Sequence, residues 1–262
     1  MDLQLEGKHV VITGGSGGIG FACALQFWKE GCKLTIVGRE QLQLDKAKAA
    51  LDLPERSVQA IHAELDDAEQ ALRAVKLAEE GNGPIDVLVN AAGAARQKPF
   101  AELVAQDWRD AMDAKFFPYI NMIDPVIKRM ASRGCGSIVN IIGMGGKLPM
   151  TTHLVGGAAN AALMLATAGL AMAYGPQGVR INGINPTKTA TDRLVLAAEA
   201  TARQSNISIE EALRKSQEET PQGRVATPED VANAVVFLAS PRAGYISGAI
   251  VSMDGGARPV IV

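Results

Sequence analysis

Short runs of β-branched and aliphatic residues alternate with stretches whose apolar positions recur every three or four residues, almost from one end of the chain to the other. The runs "HVVIT" (9–13), "KLTIVG" (33–38), "VQAIHA" (58–63), "IDVLVN" (85–90), "GSIVNII" (136–142) and "GVRINGIN" (178–185) read as strands, with "AIVSMDGG" (249–256) as the last. Helical spacing fills the intervals at 18–30, which stops at Gly31, and near 40–51, 67–80, 101–131 and 154–174. Two later helices are expected near 208–217 and 228–240. The strands are continuously apolar rather than alternating, which is the pattern of a parallel sheet covered by helices on both faces. Repeated strand–helix units therefore predict one α/β domain over residues 1–262, with an open, doubly wound parallel sheet of about seven strands. Right-handed crossovers leave little freedom in how those units connect. No linker, repeat or second domain interrupts the pattern.

Composition changes this picture little. A chain of 262 residues, 47% hydrophobic and 21% charged, is long enough for one substantial core. A net charge of −2 without a long basic run gives no electrostatic case for nucleic acid or an anionic membrane. The Ala-rich run 158–173 reads as a buried helix rather than a membrane span. The start of the chain is charged before its first apolar run, and that run is too short for a signal peptide. Cys23, Cys32 and Cys135 are scattered, odd in number and without metal-ligand spacing, so reduced thiols in a cytoplasmic protein and no metal are expected.

The first strand runs into "TGGSGGIG" (13–20), which opens the first helix. Glycines at such a junction let backbone N–H groups approach a pyrophosphate at the helix N-terminus, which makes Gly14, Ser16, Gly17, Gly18, Ile19 and Gly20 candidate dinucleotide contacts. The second strand ends in Gly38 and Arg39, where an NAD-binding fold often has an acid for the adenosine ribose. An arginine there binds a 2′-phosphate and an acid repels one, so NADP(H) is expected over NAD(H); the plainer alternative is a solvated loop charge.

Together these segments resemble the short-chain dehydrogenase/reductase family over nearly the whole chain. "TGGSGGIG" is similar to its glycine-rich loop, and "NAAG" (90–93) to the motif that ends its fourth strand. "GVRINGINPTKTATD" (178–192) resembles its sixth strand and nicotinamide-proximal loop, and 223–256 its C-terminal signature. The resemblance implies a Rossmann fold, with Asn90, Ala91 and Gly93 along the adenosine side of the cofactor. It places Glu64 where the family usually reads the adenine with an Asp, Leu65 beside it, and Pro186 and Thr191 near the nicotinamide. Thr187 stands where the family usually has a glycine. It also implies a homodimer or homotetramer, with the helix at 154–174 in one contact and the last strand in another.

The family's usual Asn, Ser, Tyr and Lys fall, by spacing, on Lys115, Gly143, Gly156 and Asn160. Glycines transfer no proton, and positioned acid–base catalysis contributes roughly 10² to 10⁴ in rate. His153 precedes Asn160 by seven residues, about 10 Å along a helix and on the same face. The family's enoyl-reductase branch has a similar spacing, with its tyrosine seven positions before the lysine. His153 is therefore a candidate acid or base, or else a helix-cap histidine facing solvent. Gly156 and Gly157 are expected to leave a bare patch between the two side chains for a substrate or ribose, and with Ala158, Ala161 and Ala162 to let another helix approach. Lys115 is a candidate oxyanion or ribose contact, or a lysine snorkelling from an amphipathic helix. Asn160 remains able to donate to a ribose hydroxyl, whereas His9 and His62, at strand ends, read as structural.

The expectation is an NADP(H)-dependent oxidoreductase acting on a small or medium carbonyl, enone or quinone-like compound, covered by the polar segment 187–222. The alternatives are a cofactor-binding sensor or non-catalytic partner, and an acid–base enzyme (elimination or isomerisation) on the same fold.

Overall fold

The computed structural model describes residues 1–52, 57–93 and 97–258. Its parallel sheet has the order β3-β2-β1-β4-β5-β6-β7. The strands are β1 (His9–Thr13), β2 (Lys33–Gly38), β3 (Gln59–His62), β4 (Val87–Asn90), β5 (Gly136–Ile141), β6 (Val179–Pro186) and β7 (Ile250–Met253). Chain order reverses between β1 and β4, which opens a crevice at the C-terminal ends of those strands. The doubly wound Rossmann-like fold expected from the sequence is the one observed.

Alternate strand residues feed the two faces. Val10 and Ile12 enter a core with Phe27, Trp28 and Val235, from α1 (Gly18–Lys29) and α9 (Pro228–Ala239). Val11 and Leu88 enter the other, with residues of α3 (Ala68–Asn82), α5 (Phe117–Arg133) and α6 (Leu154–Tyr174). Helix α2 (Gln41–Leu51) adds Leu44 and Leu51 to the first core. His9 is structural, as expected. Its Nδ1 lies 2.7 Å from the Gly83 carbonyl and its Nε2 2.9 Å from Thr35 Oγ1, and burial lowers its pKa.

Two expectations about helices need correction. The single helix near 101–131 is three pieces: a short 3₁₀ turn (Phe100–Glu102), α4 (Ala105–Ala111) and α5, the last two joined by a π-helical turn at Met112–Phe116. Pro118 explains the break, because it has no N–H to return to the carbonyl four residues back, that of Ala114. The polar segment 187–222 also contains more structure than one helix. Besides α8 (Ile209–Glu218) it holds α7 (Asp192–Ser205), closed by Asn206 in the left-handed conformation at φ 52°.

Helix α6 has the length and hydropathy to cross a membrane. Here Val155, Ala159, Leu163 and Ala171 are buried, Leu163 and Ala171 in the second core, while Leu165 and Met172 are exposed. Cys23 and Cys32 are buried and Cys135 exposed, all as reduced thiols. Among the described residues no cluster of His, Cys, Asp or Glu is suited to a metal.

Candidate functional site

The glycine-rich loop is built by close backbone approaches. A Cβ on Gly20 would press on the Gly14 carbonyl, 2.7 Å from its carbon, so the first turn of α1 packs onto the loop only with glycine there. Gly14 is tied to β2 by its N–H on the Val37 carbonyl (2.7 Å). Nothing lies within 4 Å of a Cβ built on Gly17, so the crest of the loop is open at the head of a twelve-residue helix. Thr191 stands across the loop, its Cγ2 3.5 Å from the Cβ position of Gly18. This shape accepts a diphosphate against backbone N–H groups, so the loop fits a dinucleotide.

Thr13, which the sequence did not single out, couples the loop to the neighbouring strand. Its Oγ1 accepts from the N–H groups of Ala91 (3.1 Å) and Ala92 (3.2 Å). The Asn90 side chain is fully buried and its Nδ2 donates to Asn140 Oδ1 (3.0 Å), while Asn140 Nδ2 donates to Thr167 Oγ1 on α6 (2.9 Å). Asn90 thus anchors its loop from within rather than presenting its amide along the crevice. Leu65 is likewise in the core and has only its backbone to offer, while Glu64 is exposed. Arg39 is 74% exposed at the end of β2, with Nε 3.8 Å from Glu40 Oε1. Any phosphate reaching that guanidinium meets this neighbouring carboxylate as a competitor.

The π-helical turn sets the far wall. With Pro118 unable to bond it, the Ala114 carbonyl turns toward Gly93, where a Cβ would collide with it. Gly93 also has φ 89°, so both its conformation and its neighbour require glycine. The same turn swings Lys115 inward. It is 7% exposed, and its Nζ donates to Tyr119 Oη (2.7 Å) and the Ile141 carbonyl (3.0 Å). The ammonium lies 4.5 Å from the Tyr119 ring centroid. Tyr119 follows Lys115 by four residues, a spacing visible in the sequence, but its burial depends on the π turn.

His153 is the N-cap residue of α6, yet its side chain makes no capping bond. The ring folds back over the first helical turn, with Nδ1 2.9 Å from where a Cβ of Gly156 would be. The expected bare patch is therefore absent: the imidazole covers Gly156, and the Gly145 carbonyl lies 2.8 Å from the Cβ position of Gly157. Both glycines are buried, so they are not part of a face open to another helix; Ala158 and Ala161 are exposed and Ala162 half-buried. His153 and Asn160 do share one side, as their spacing predicts. A Cβ on Gly145 would sit 3.3 Å from His153 Cδ2 and 3.6 Å from Asn160 Nδ2. Gly143 completes the cluster, its Cβ position 3.2 Å from Asn160 Nδ2.

Two polar atoms in this cluster are buried without a partner: His153 Nδ1 and Asn160 Oδ1. An imidazolium would strand an N–H at Nδ1, and burial followed by the nearby Lys115 charge holds the His153 pKa below its usual value. The ring is thus mainly neutral at pH 7. With Nδ1 shut away, Nε2 is the nitrogen left to exchange a proton. His153, Lys115, Asn160, Gly93 and Pro186 all line one cavity of about 520 Å³. Met144, Leu148 and Met150 give it an apolar side. Lys188, Glu219 and Arg258, which the sequence reading passed over, give it a charged one; α8 brings Ser216 to the same wall.

Comparison with known proteins gives the same outline. A family profile described as enoyl-(acyl carrier protein) reductase matches residues 14–258. The chain is 30% identical over 260 residues to a 3α-hydroxysteroid dehydrogenase of Mediterraneibacter gnavus, covering 98% of this chain and all of that one. The L-sorbose reductase of Gluconobacter frateurii, solved with NADPH and L-sorbose, superposes with a TM-score of 0.92 at 28% identity, over the full length of both chains. A 7α-hydroxysteroid dehydrogenase solved with NADH and 7-oxo glycochenodeoxycholic acid gives a TM-score of 0.87 at 27% identity, covering 97% of this chain and 96% of that one.

Proposed function

The chain belongs to the short-chain dehydrogenase/reductase family and is an oxidoreductase of that type, and from that premise we propose that it is an NADP(H)-dependent enzyme whose proton donor is His153. The observation that carries this reading is the imidazole folded over Gly156, inside the cavity that also holds Lys115 and Asn160. The substrate is a small or medium carbonyl compound, with a conjugated enone or quinone as the variant in which an enolate forms.

A bound nicotinamide supplies or accepts the hydride, and the chain supplies the rest. Gly14 to Gly20 hold the diphosphate through backbone N–H groups and the N-terminus of α1. Arg39 holds the 2′-phosphate. Glu64, with the backbone at Leu65, faces the adenine, and Asn90, Ala91 and Gly93 form the floor beside the adenosine. Pro186 and Thr191 flank the nicotinamide, and Asn160 Oδ1 accepts from a ribose hydroxyl, which satisfies its buried oxygen. As hydride reaches the carbonyl carbon, the imidazolium form of His153 would pass its Nε2 proton to the oxygen, so the carbonyl gains a hydride and a proton, two electrons and two protons in all. Lys115 supplies positive charge beside that oxygen while it is negative.

The rest of the chain fits this role. The chain is read as one domain, in which α8 lines the pocket through Ser216. The exposed Leu165 and Met172 on α6 support a homodimer or homotetramer, and the reduced thiols suit a cytoplasmic setting.

Among the relatives above, one structure holds NADPH and another NADH, so the preference rests on Arg39. Calorimetry is expected to give tighter binding of NADPH than NADH by roughly tenfold, because an exposed charge-assisted contact with a competing Glu40 contributes about 1–1.5 kcal/mol. Arg39→Ala should remove most of that difference. Equal affinities in the parent protein would show that the 2′-phosphate is not read. NADPH absorbance, followed with a panel of carbonyl substrates, tests the reaction itself. Product formed without an absorbance change would mark acid–base chemistry instead.

A further inference from the structure

Helix α5 carries a phenol that neither hydride nor proton transfer uses. Tyr119 is fully buried, and a hydroxyl taken out of water is costly unless it is bonded. Its Oη donates to the Ile141 carbonyl (2.5 Å) and accepts from Lys115 Nζ (2.7 Å). Lys115 Nζ donates to the same carbonyl (3.0 Å), which closes a triangle of ammonium, phenol and carbonyl at the C-terminal end of β5. The ammonium lies 4.5 Å from the ring centroid, so the hydroxyl and not the aromatic face is its nearest contact on Tyr119. The ring fills the second core, and a phenylalanine would fill it equally. The hydroxyl is what joins Lys115 to β5.

An ammonium carries three N–H bonds in a fixed array, so anchoring two of them sets the direction of the third. The triangle therefore fixes both the place and the orientation of the charge. Lys115 lines the cavity with His153 and Asn160, and Tyr119 stands behind it in the core. We propose that Tyr119 is a positioning residue, whose hydroxyl holds the Lys115 ammonium at the point of the cavity wall where the substrate oxygen becomes negative. It touches neither substrate nor cofactor. A charge fixed before the reaction stabilises a developing oxyanion better than one that must first be reoriented. With phenylalanine at 119 the triangle opens and the ammonium can swing about the Ile141 carbonyl. The proposal rests on Lys115 as the oxyanion contact; it needs neither hydride transfer nor the His153 proton.

The test is a double-mutant cycle of Tyr119→Phe and Lys115→Met, two changes that nearly keep side-chain volume, with thermal unfolding to check that all four proteins are folded. One readout is NADPH consumption with a carbonyl substrate. The other needs no turnover: binding of 4-nitrophenolate, an aromatic oxyanion, to the NADP-loaded protein, followed by its visible absorbance. Tyr119→Phe should lower kcat about tenfold, with KM and NADPH affinity near the parent values, and should weaken 4-nitrophenolate by a similar factor. Lys115→Met should cost about 10² in kcat and most of the phenolate affinity. In the Lys115→Met background, Tyr119→Phe should change neither readout. Losses of equal size in both backgrounds would assign the hydroxyl to packing and overturn the proposal. Parental kcat and phenolate binding in Tyr119→Phe would overturn it too. The same result in Lys115→Met would overturn it while leaving the oxidoreductase reading intact. If phenolate binding follows the cycle yet no carbonyl compound consumes NADPH, the positioning role stands and the redox reading fails.

Discussion

Removing the imidazole in His153→Ala is expected to lower turnover by about 10² or more, the usual contribution of a positioned acid or base, while NADPH affinity stays near the parent value. The separation follows from geometry. The ring lies over Gly156 in the substrate cavity, whereas the loop at Gly14 to Gly20 is framed by β1, β2 and α1. The pH profile identifies the group more specifically than the loss itself. Burial and the Lys115 charge depress the His153 pKa, so its acidic form is populated only below the ordinary value near 6.5. Reduction needs the imidazolium and should rise as pH falls below that value. Oxidation needs the neutral base and should rise through the same depressed pKa to a plateau that covers neutral pH. His153→Ala should flatten both limbs. His153→Tyr puts a phenol at the position and should move both limbs toward high pH if it retains activity. Parental turnover in His153→Ala would transfer the proton to Lys115, water or the substrate itself.

What the sequence made legible follows from periodicity. The β1 and β5 runs hold consecutive aliphatic residues (Val10 to Ile12, Ile138 and Val139) because helices cover both faces, so their existence and parallel pairing could be read directly. The dinucleotide loop was legible because glycine is the only residue that permits the approach of Gly20 to Gly14. The spacing of His153 and Asn160 was legible because a helix of known rise puts positions seven apart on one side. Two features were hidden. The direction of the His153 ring depends on a side-chain rotation at the N-cap, and no residue type encodes that. The inward turn of Lys115 depends on a π turn whose cause, Pro118, looks in the sequence like an ordinary helix-start proline. The helix α7 was missed although "ATDRLVLAAEATARQSN" has helical spacing, since its polar content reads equally as a loop.

Gly156 offers the complementary experiment, because there stability and activity are expected to part. Alanine at an ordinary interior helix position stabilises relative to glycine by roughly 1 kcal/mol, chiefly through backbone entropy. Gly156 is helical with no positive φ, so that gain is available at this site. The new methyl group, however, would occupy the space of the imidazole, with Nδ1 only 2.9 Å away and the Cε1 edge closer still. The helix backbone cannot yield easily, since Gly157 already packs against the Gly145 carbonyl. The histidine ring can, by rotating about its own side-chain bonds and out of the cavity. Gly156→Ala should therefore melt at or slightly above the parent temperature and bind NADPH normally, yet lose turnover by a factor near that of His153→Ala. The double variant should be little worse than either single one, because both changes remove the same ring from the same place. Thermal unfolding, NADPH titration and steady-state turnover on the four proteins check this together. Full turnover in Gly156→Ala would mean that the imidazole works from some other position than the one over this glycine. A multiplicative loss in the double variant would mean that Gly156 matters to catalysis for a reason of its own.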